Sequence, residues 1–382
     1  MKLKRILVCP DSFKGSLTAR EAANAIVEGL KAGGFQGEII VCPLSDGGEG
    51  MLDVIWETHS LQCLNVTTVD PLGNEIRAEY LIDVDSGSAY IESARMIGLD
   101  LVSPQRRNPF NASSKGLGIA IIDALKHGVK DVYVTLGGSA VCDGGMGMLT
   151  AMGTKFYDRT NKMLFGKAGS MNEIDHIVWK GQELPPENIR FYAVCDVDNP
   201  LLGNMGAINV FAPQKGASIY DIPILEKGME NLVNRCVEAG VAQKSDAYKE
   251  GAGAAGGVGF AMFAFLKAQK LSGIDFVLDR VKFDSLLSNV DYVLTGEGKI
   301  DRQSMMGKVL SGVIERARHQ NKPVIAFGGL IEDRGEIEKF GLKQAIEISD
   351  PNLSISRNME KETASYNLQL AACNFILNLI GT

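Results

Sequence analysis

Residues 4–26 read KRILVCPDSFKGSLTAREAANAI, and the passage from apolar to polar and back sets the architecture of the chain. Ile6-Leu7-Val8 is a short apolar run of the kind a buried strand needs. It is followed by Asp11, Ser12, Lys14, Gly15 and Ser16, with Phe13 the one large apolar residue among them. Thr18-Ala-Arg-Glu21 then fits a capping box, in which the hydroxyl and the glutamate satisfy the first free backbone N–H groups of a helix. Ala22, Ile26 and Leu30 fall on one face of that helix, and Gly33-Gly34 stop it. The unit is strand, polar loop, helix.

The same grammar returns five times. GEIIVC runs into PLSDGGEG and MLDVIWETH, DVYVTL into GGSAVCDGGMGM, RFYAVC into DVDNPLLGNMGA, DYVLT into GEGKIDRQSMMGK, and PVIAF into GGL. Strands that alternate with helical patterns predict an α/β fold with a parallel sheet. In such sheets ligands bind beyond the carboxyl ends of the strands, where all six polar loops fall. A glycine after one strand is often only a tight turn, and an Asp or Ser there only a helix cap. Six such loops in one chain exceed what turns require.

At 382 residues the chain is long enough for two domains. Its 46 acids outnumber its 39 Lys and Arg, and the net charge of −7 argues against a nucleic-acid partner. No apolar run approaches the ~18 residues of a membrane helix, and the apolar part of MKLKRILVCPD is too short for a signal peptide. The seven cysteines are scattered, odd in number and without a CxxC pair, so reduced thiols and a cytoplasmic location are expected. The four histidines form no HExxH, which removes a His-based zinc site.

Glycine loops that open helices offer backbone N–H groups and a favourable dipole to phosphate. Lys14, Lys215, Lys299 and Lys308 lie in or beside such loops, and Asp46, Glu49, Asp196, Asp198, Glu297 and Asp301 stand at their starts. Carboxylates facing phosphates repel unless a divalent cation lies between them, which is how Mg²⁺ is held. The combination points to nucleotide-dependent phosphoryl transfer. Two familiar motifs fail. GAGAAG (251–256) matches GxGxxG, but the polar QKSDAYKE precedes it where a dinucleotide fold needs a strand. The stretch before Gly307-Lys308 has Arg302 where the first glycine of a P-loop belongs, and Val309 follows the lysine. GAGAAGG then reads either as a backbone anion cradle or as small residues for tight helix packing.

Taken together the motifs resemble the class I glycerate kinases over nearly the whole chain. The marks are PDSFKGSLTA (10–19), PLSDGGEGMLD (43–53), TLGGSAVCDGGMGML (135–149), CDVDNPLLGNMGA (195–207), FAPQKGA (211–217), GAGAAGGVGFAMFAFLKA (251–268) and TGEGKIDRQSMMGK (295–308). Val141-Cys142 departs from the Thr-Asn more usual in that family. The resemblance implies ATP-dependent phosphorylation of D-glycerate. It also implies two α/β domains: a flavodoxin-like parallel sheet with helices on both faces, built from both chain ends, and an inserted domain of less common topology. The expected division is 1–70 plus 288–382 against 71–287, with the active site between them. It favours the 2-hydroxyl as acceptor and leaves 3-phosphoglycerate open, as well as a monomer or a homodimer.

Phosphorylating glycerate requires a base, a cation for the carboxylate and neutralisation of the phosphoryl charge. Asp196, at a strand end, is the candidate base, and Asp198 fits the role of base or of metal ligand. Asp46 and Glu297 are the candidate Mg²⁺ ligands. Lys14, with Ser12 and Ser16 beside it, is the candidate cation for the carboxylate or the transferring phosphoryl group, and Lys215 is the second. Asn199 and Arg95 complete the substrate list, Arg95 with a surface role equally open. Gly137, Gly138, Ser139, Gly253, Gly256, Gly257, Gly296, Gly298 and Lys308 are the candidate nucleotide contacts. Asp143 either orients substrate or caps a turn. The readings that compete are a kinase of another small hydroxy acid, a nicotinamide oxidoreductase and a sensor of a phosphorylated metabolite.

Overall fold

Every apolar run singled out above is a strand. The structure, a computed structural model, describes residues 3–48, 50–58, 61–179, 188–305, 308–332 and 334–381, so Glu49 and Gly307 lie outside the described residues. The strands are β1 (Arg5–Val8), β2 (Glu38–Val41), β3 (Gln62–Val69), β4 (Glu75–Asp83), β5 (Ser88–Glu92), β6 (Asp131–Thr135), β7 (Lys155–Tyr157), β8 (His176–Val178), β9 (Arg190–Val194), β10 (Gln269–Leu271), β11 (Tyr292–Ile300), β12 (Val324–Ile331) and β13 (Gln344–Glu347). The chain forms two units, one of residues 1–46, 53–58 and 272–382, the other of 47–52 and 59–271.

The first unit holds a five-stranded sheet, all parallel, in the order β13-β12-β11-β1-β2. Counted within the unit this is the 2-1-3-4-5 order of flavodoxin-like folds, and the order reverses between β1 and β11. Ile6, Val8, Leu294, Ile325 and Phe327 point into one core. The alternate residues Leu7, Val293, Val324 and Ala326 are buried too, so both faces of the sheet are covered. The helix Ala19–Ala32 starts at Thr18, whose hydroxyl accepts from the Glu21 N–H while the Glu21 carboxylate accepts from the Thr18 N–H. Its buried stripe of Ala22, Ile26 and Leu30 meets Leu368, Ala372 and Ile376 of the helix Lys361–Ile380. Each large side chain so buried contributes about 1.5–3 kcal/mol.

The second unit holds a six-stranded mixed sheet, β10-β9-β6-β5-β4-β3, in which β10, β9, β6 and β5 are parallel and β4 and β3 antiparallel. The helices Lys115–Leu125 and Ala254–Phe265 contribute Leu117, Ile121, Val258 and Phe260 to its core.

The units divide at about residues 59 and 271, where the sequence reading placed 71 and 287. Residues 62–69 pair along their length with β4, which fixes them in the second unit. The helices Gly273–Arg280 and Phe283–Leu287 belong to the first: Arg316 of the helix Val309–His319 binds Asp279 at 2.7 Å and Asp284 at 2.6 Å.

Candidate active site

In the first unit the chain beyond β1 continues the ladder between its neighbours. The Cys9 N–H donates to Leu294 O at 2.7 Å, Asp11 N–H to Gly296 O at 2.9 Å, and Leu44 N–H to Pro10 O at 2.9 Å. Thr295 Oγ1 donates to Cys9 O at 2.9 Å. The backbone thereby sets Asp11, Asp46 and Glu297 around the point where the strand order reverses. Their charges act on one another. Burial, then Asp46 and Glu297, push the Asp11 carboxyl up to about 8. Burial first, with Asp301 and Asp46 adding to it, pushes Glu297 up to about 7 against the opposing pull of Ser304 and Lys308. Glu297 Oε1 is buried with no hydrogen-bond partner, as is Ser16 Oγ. Among the described residues no group of three or more His, Cys, Asp or Glu is placed to hold a metal ion.

Lys14 is exposed at the tip of its loop, and Lys308 stands half-buried as the N-cap residue of the helix Val309–His319. The Ser12 N–H donates to Asp11 Oδ1 at 2.6 Å. Gly296 and Gly298 do not form a loop: β11 runs on through Ile300, paired with β12. They are glycines because backbone passes close by, a Cβ on Gly298 falling 3.2 Å from Lys14 N and one on Gly296 3.3 Å from the Phe327 carbonyl carbon.

In the second unit the loop after β6 is fixed from several sides. Asp143 is fully buried, and its carboxylate accepts from Ser114 N at 2.7 Å, Ser114 Oγ at 2.8 Å, Gly145 N at 3.1 Å and Gly147 N at 3.0 Å. Three of these bonds fall on Oδ2 and one on Oδ1, and together they make Asp143 a tie of this turn. Lys215 is 2% exposed and donates from Nζ to Val141 O at 2.7 Å and Ser139 Oγ at 3.1 Å. Burial holds its ammonium below the ordinary lysine range. These two bonds tie it to the loop after β6.

GAGAAGG takes the packing role. Gly253, Gly256 and Gly257 are buried, and a Cβ on Gly256 falls 2.9 Å from Cys142 Cα, one on Gly257 2.7 Å from Gly144 Cα. Ala255, Gly256 and Gly257 all have positive φ, at 50°, 65° and 94°. The Gly256 carbonyl accepts from Gly144 N–H at 3.0 Å. The stretch backs the Asp143 loop.

Asp196 stands half-buried just beyond β9. Asp198, two residues on, is exposed and ion-paired with Lys270. Asn199 bridges to Met205 O at 2.8 Å, and its carbonyl accepts from Gly253 N–H at 2.9 Å, so it braces loops. Arg95 bonds Glu79 at 3.1 Å and lies 3.8 Å from Glu92. Two strand-end acids that the sequence reading left out of the site are prominent here. Asp11 is one. Glu92, buried at the end of β5, is the other, accepting from Gly50 N at 3.0 Å and Leu52 N at 3.1 Å. The signal for both was present: each is the first acid beyond, or the last residue of, a predicted or actual apolar strand.

Comparison with known proteins agrees over the whole chain. The model of the glycerate kinase family matches residues 6–379. A glycerate kinase of Halalkalibacterium halodurans is 35% identical over 94% of both chains, and a glycerate 2-kinase of Escherichia coli is 36% identical over 88% of both. A crystal structure assigned to glycerate kinase 2 of Salmonella typhimurium LT2 superposes with a TM-score of 0.82 at 33% identity, covering 100% of this chain and 99% of that one. No described helix is long and apolar enough to cross a membrane.

Proposed function

The chain belongs to the glycerate kinase family, and we propose that it transfers the γ-phosphoryl group of ATP to the 2-hydroxyl of D-glycerate, giving 2-phosphoglycerate and ADP. The observation that carries this reading is the gathering of Asp11, Asp46 and Glu297 where the strand order of the first unit reverses. In a doubly wound sheet that point is where a ligand binds. Carboxylates there call for a cation if the ligand carries phosphates.

Asp46 and Glu297 suit Mg²⁺, which takes one or two carboxylates and completes its shell with phosphate oxygens and water. The buried, unpartnered Glu297 Oε1 fits such a role. Mg²⁺ bound there supplies neutralisation of charge on the phosphoryl oxygens. Lys14 and Lys308 add positive charge from the exposed loop and from the start of a helix. Asp196 of the second unit takes the hydroxyl proton onto a carboxylate oxygen as the substrate oxygen bonds to phosphorus; the electron pair of the broken P–O bond leaves with ADP. General-base assistance of this kind contributes about 10²–10⁴-fold.

The test is a coupled assay with Mg-ATP and D-glycerate. If enolase alone carries the product onward to phosphoenolpyruvate, the product is 2-phosphoglycerate. A signal that also needs phosphoglycerate mutase moves the acceptor to the 3-hydroxyl. No ADP in either run overturns the proposal.

A further inference from the structure

The tip of the loop after β6 holds three consecutive backbone N–H groups, those of Gly137, Gly138 and Ser139, for which no described residue is an acceptor. Their neighbours are bound: Leu136 N–H donates to Val194 O at 3.0 Å and Ala140 N–H to Ile97 O at 2.8 Å. Gly138 is exposed, with φ at 61°, and Gly137 is half-buried, so the tip faces outward while Ser139 is 5% exposed. A reversal of backbone sense between successive residues turns adjacent N–H groups toward one point, which makes a small concavity for an anion.

Directly behind this tip sits Lys215. Its side chain is buried and makes two hydrogen bonds, to Ser139 Oγ and Val141 O, which leaves the third ammonium N–H without an acceptor among the described residues. No described carboxylate forms an ion pair with it. Asp143, the nearby acid, spends its oxygens on Ser114, Gly145 and Gly147. The Asp143 charge acts on it through space without an ion-pair contact, and a buried lysine with no ion-pair partner is costly. Burial lowers the affinity of this ammonium for its proton, and an anion nearby would restore it.

The hydrogen bond between the two side chains fixes the direction of the hydroxyl. An ammonium cannot accept, so Ser139 Oγ is the acceptor and its own hydrogen is free to donate elsewhere. We propose that Gly137, Gly138 and Ser139 form an oxyanion subsite whose charge is supplied from inside the unit by Lys215 acting through Ser139. The occupant is a carboxylate or phosphate group of the reactants, so this inference rests on the kinase reading for its biological ligand but not for its chemistry. Lys215 is a positioning residue: it touches no reactant, aims the Ser139 hydroxyl outward and pins Val141.

The test measures anion binding to the folded protein, by calorimetry and by thermal shift, with D-glycerate, inorganic phosphate and ADP as separate probes against chloride at equal ionic strength. The wild-type chain binds at least one of them. Lys215→Met weakens that binding at least tenfold, and Ser139→Ala, which keeps the lysine, weakens it about fivefold, as loss of one hydrogen bond of ordinary strength does. The probe whose binding falls in both variants names the group that occupies the subsite. If Lys215→Met does not fold, the binding measured for Ser139→Ala decides by itself. Binding within twofold of wild type in the folded variants, or no anion-specific binding by the wild type, overturns the subsite. A wild type that binds the anion yet makes no phosphoglycerate overturns the kinase proposal and leaves the subsite standing; an active enzyme whose variants bind as wild type does the reverse.

Discussion

The switch point of the first unit and the loop after β6 in the second are built from the same grammar, an apolar strand running into glycine and acid, yet they end in opposite electrostatics. At the first, Asp11, Asp46 and Glu297 crowd together, and burial plus mutual repulsion favours the protonated forms of Asp11 and Glu297. At the second, the acid Asp143 is held by four hydrogen bonds from its own unit, and the cation Lys215 is buried with no ion-pair contact among the described residues. One site crowds acids together, and the other buries a cation. The lesson is that a strand-end acid has two physically different fates. It is structural when backbone donors surround it, and it is available for chemistry when they do not.

The contrast breaks or holds most clearly at Glu297. Glu297→Gln is expected to lower kcat about 10²–10³-fold, the scale on which a well-placed electrostatic group contributes. It should leave the melting temperature unchanged or higher, because a neutral amide costs less to bury beside Asp46 and Asp301. A variant that loses stability along with activity would put Glu297 in the same class as Asp143. Asp143→Ala is expected to show the other pattern. Removing the acceptor of four buried hydrogen bonds should cost about 3 kcal/mol or more in chemical denaturation. An Asp143→Ala protein of near-normal stability and poor activity would erase the distinction.

Gly257→Ala sharpens the second half of the comparison. With φ at 94° and a Cβ 2.7 Å from Gly144 Cα, an alanine there should cost about 2–3 kcal/mol through strain and overpacking, read as a shift in the denaturant midpoint. If the stretch were an anion cradle instead, stability would hold and substrate affinity would fall. The smallest effect belongs to a half-buried acid at a helix start, as a control. Glu21 is held below the usual carboxylate range by Lys361 and by the Thr18 N–H. A carboxyl with a lowered folded-state pKa stabilises above its unfolded value, near 4.5, and loses that contribution as pH falls through the folded value. Glu21→Gln should therefore cost about 0.5 kcal/mol at pH 7, solvent screening included, and nothing in strong acid.

Much of the fold was legible because it is local. The capping box at Thr18 and Glu21, the six strands and their parallel arrangement follow from spacing within about twenty residues. The candidate site was legible only in part, because its electrostatics depend on what comes near from far away in the chain. Nothing around PQKGA tells that Lys215 is buried, since the groups it binds are 74 and 76 residues distant. Asp11 gains its importance from Asp46 and Glu297, which only the assembled sheet brings close. GAGAAGG is ambiguous for a different reason: an anion cradle and close helix packing ask for the same residue. Likewise TGEGK looks like a loop, but a glycine-rich segment is also what a strand needs when a neighbouring backbone crowds it.

The pairing of β1 with β11 has a consequence for synthesis. Arg5 and its partner Asp291 are 286 residues apart, whereas the bulk of the second unit is one continuous stretch, 59–271. At about 5–20 residues per second, β1 waits roughly 15–60 s on the ribosome before the strand that completes its ladder exists. The inserted unit can reach its native state during that interval. The first to be made is therefore the last to be folded, and β1 with β2, a bare two-stranded edge for most of that time, is where a nascent chain of this family is most exposed to aggregation.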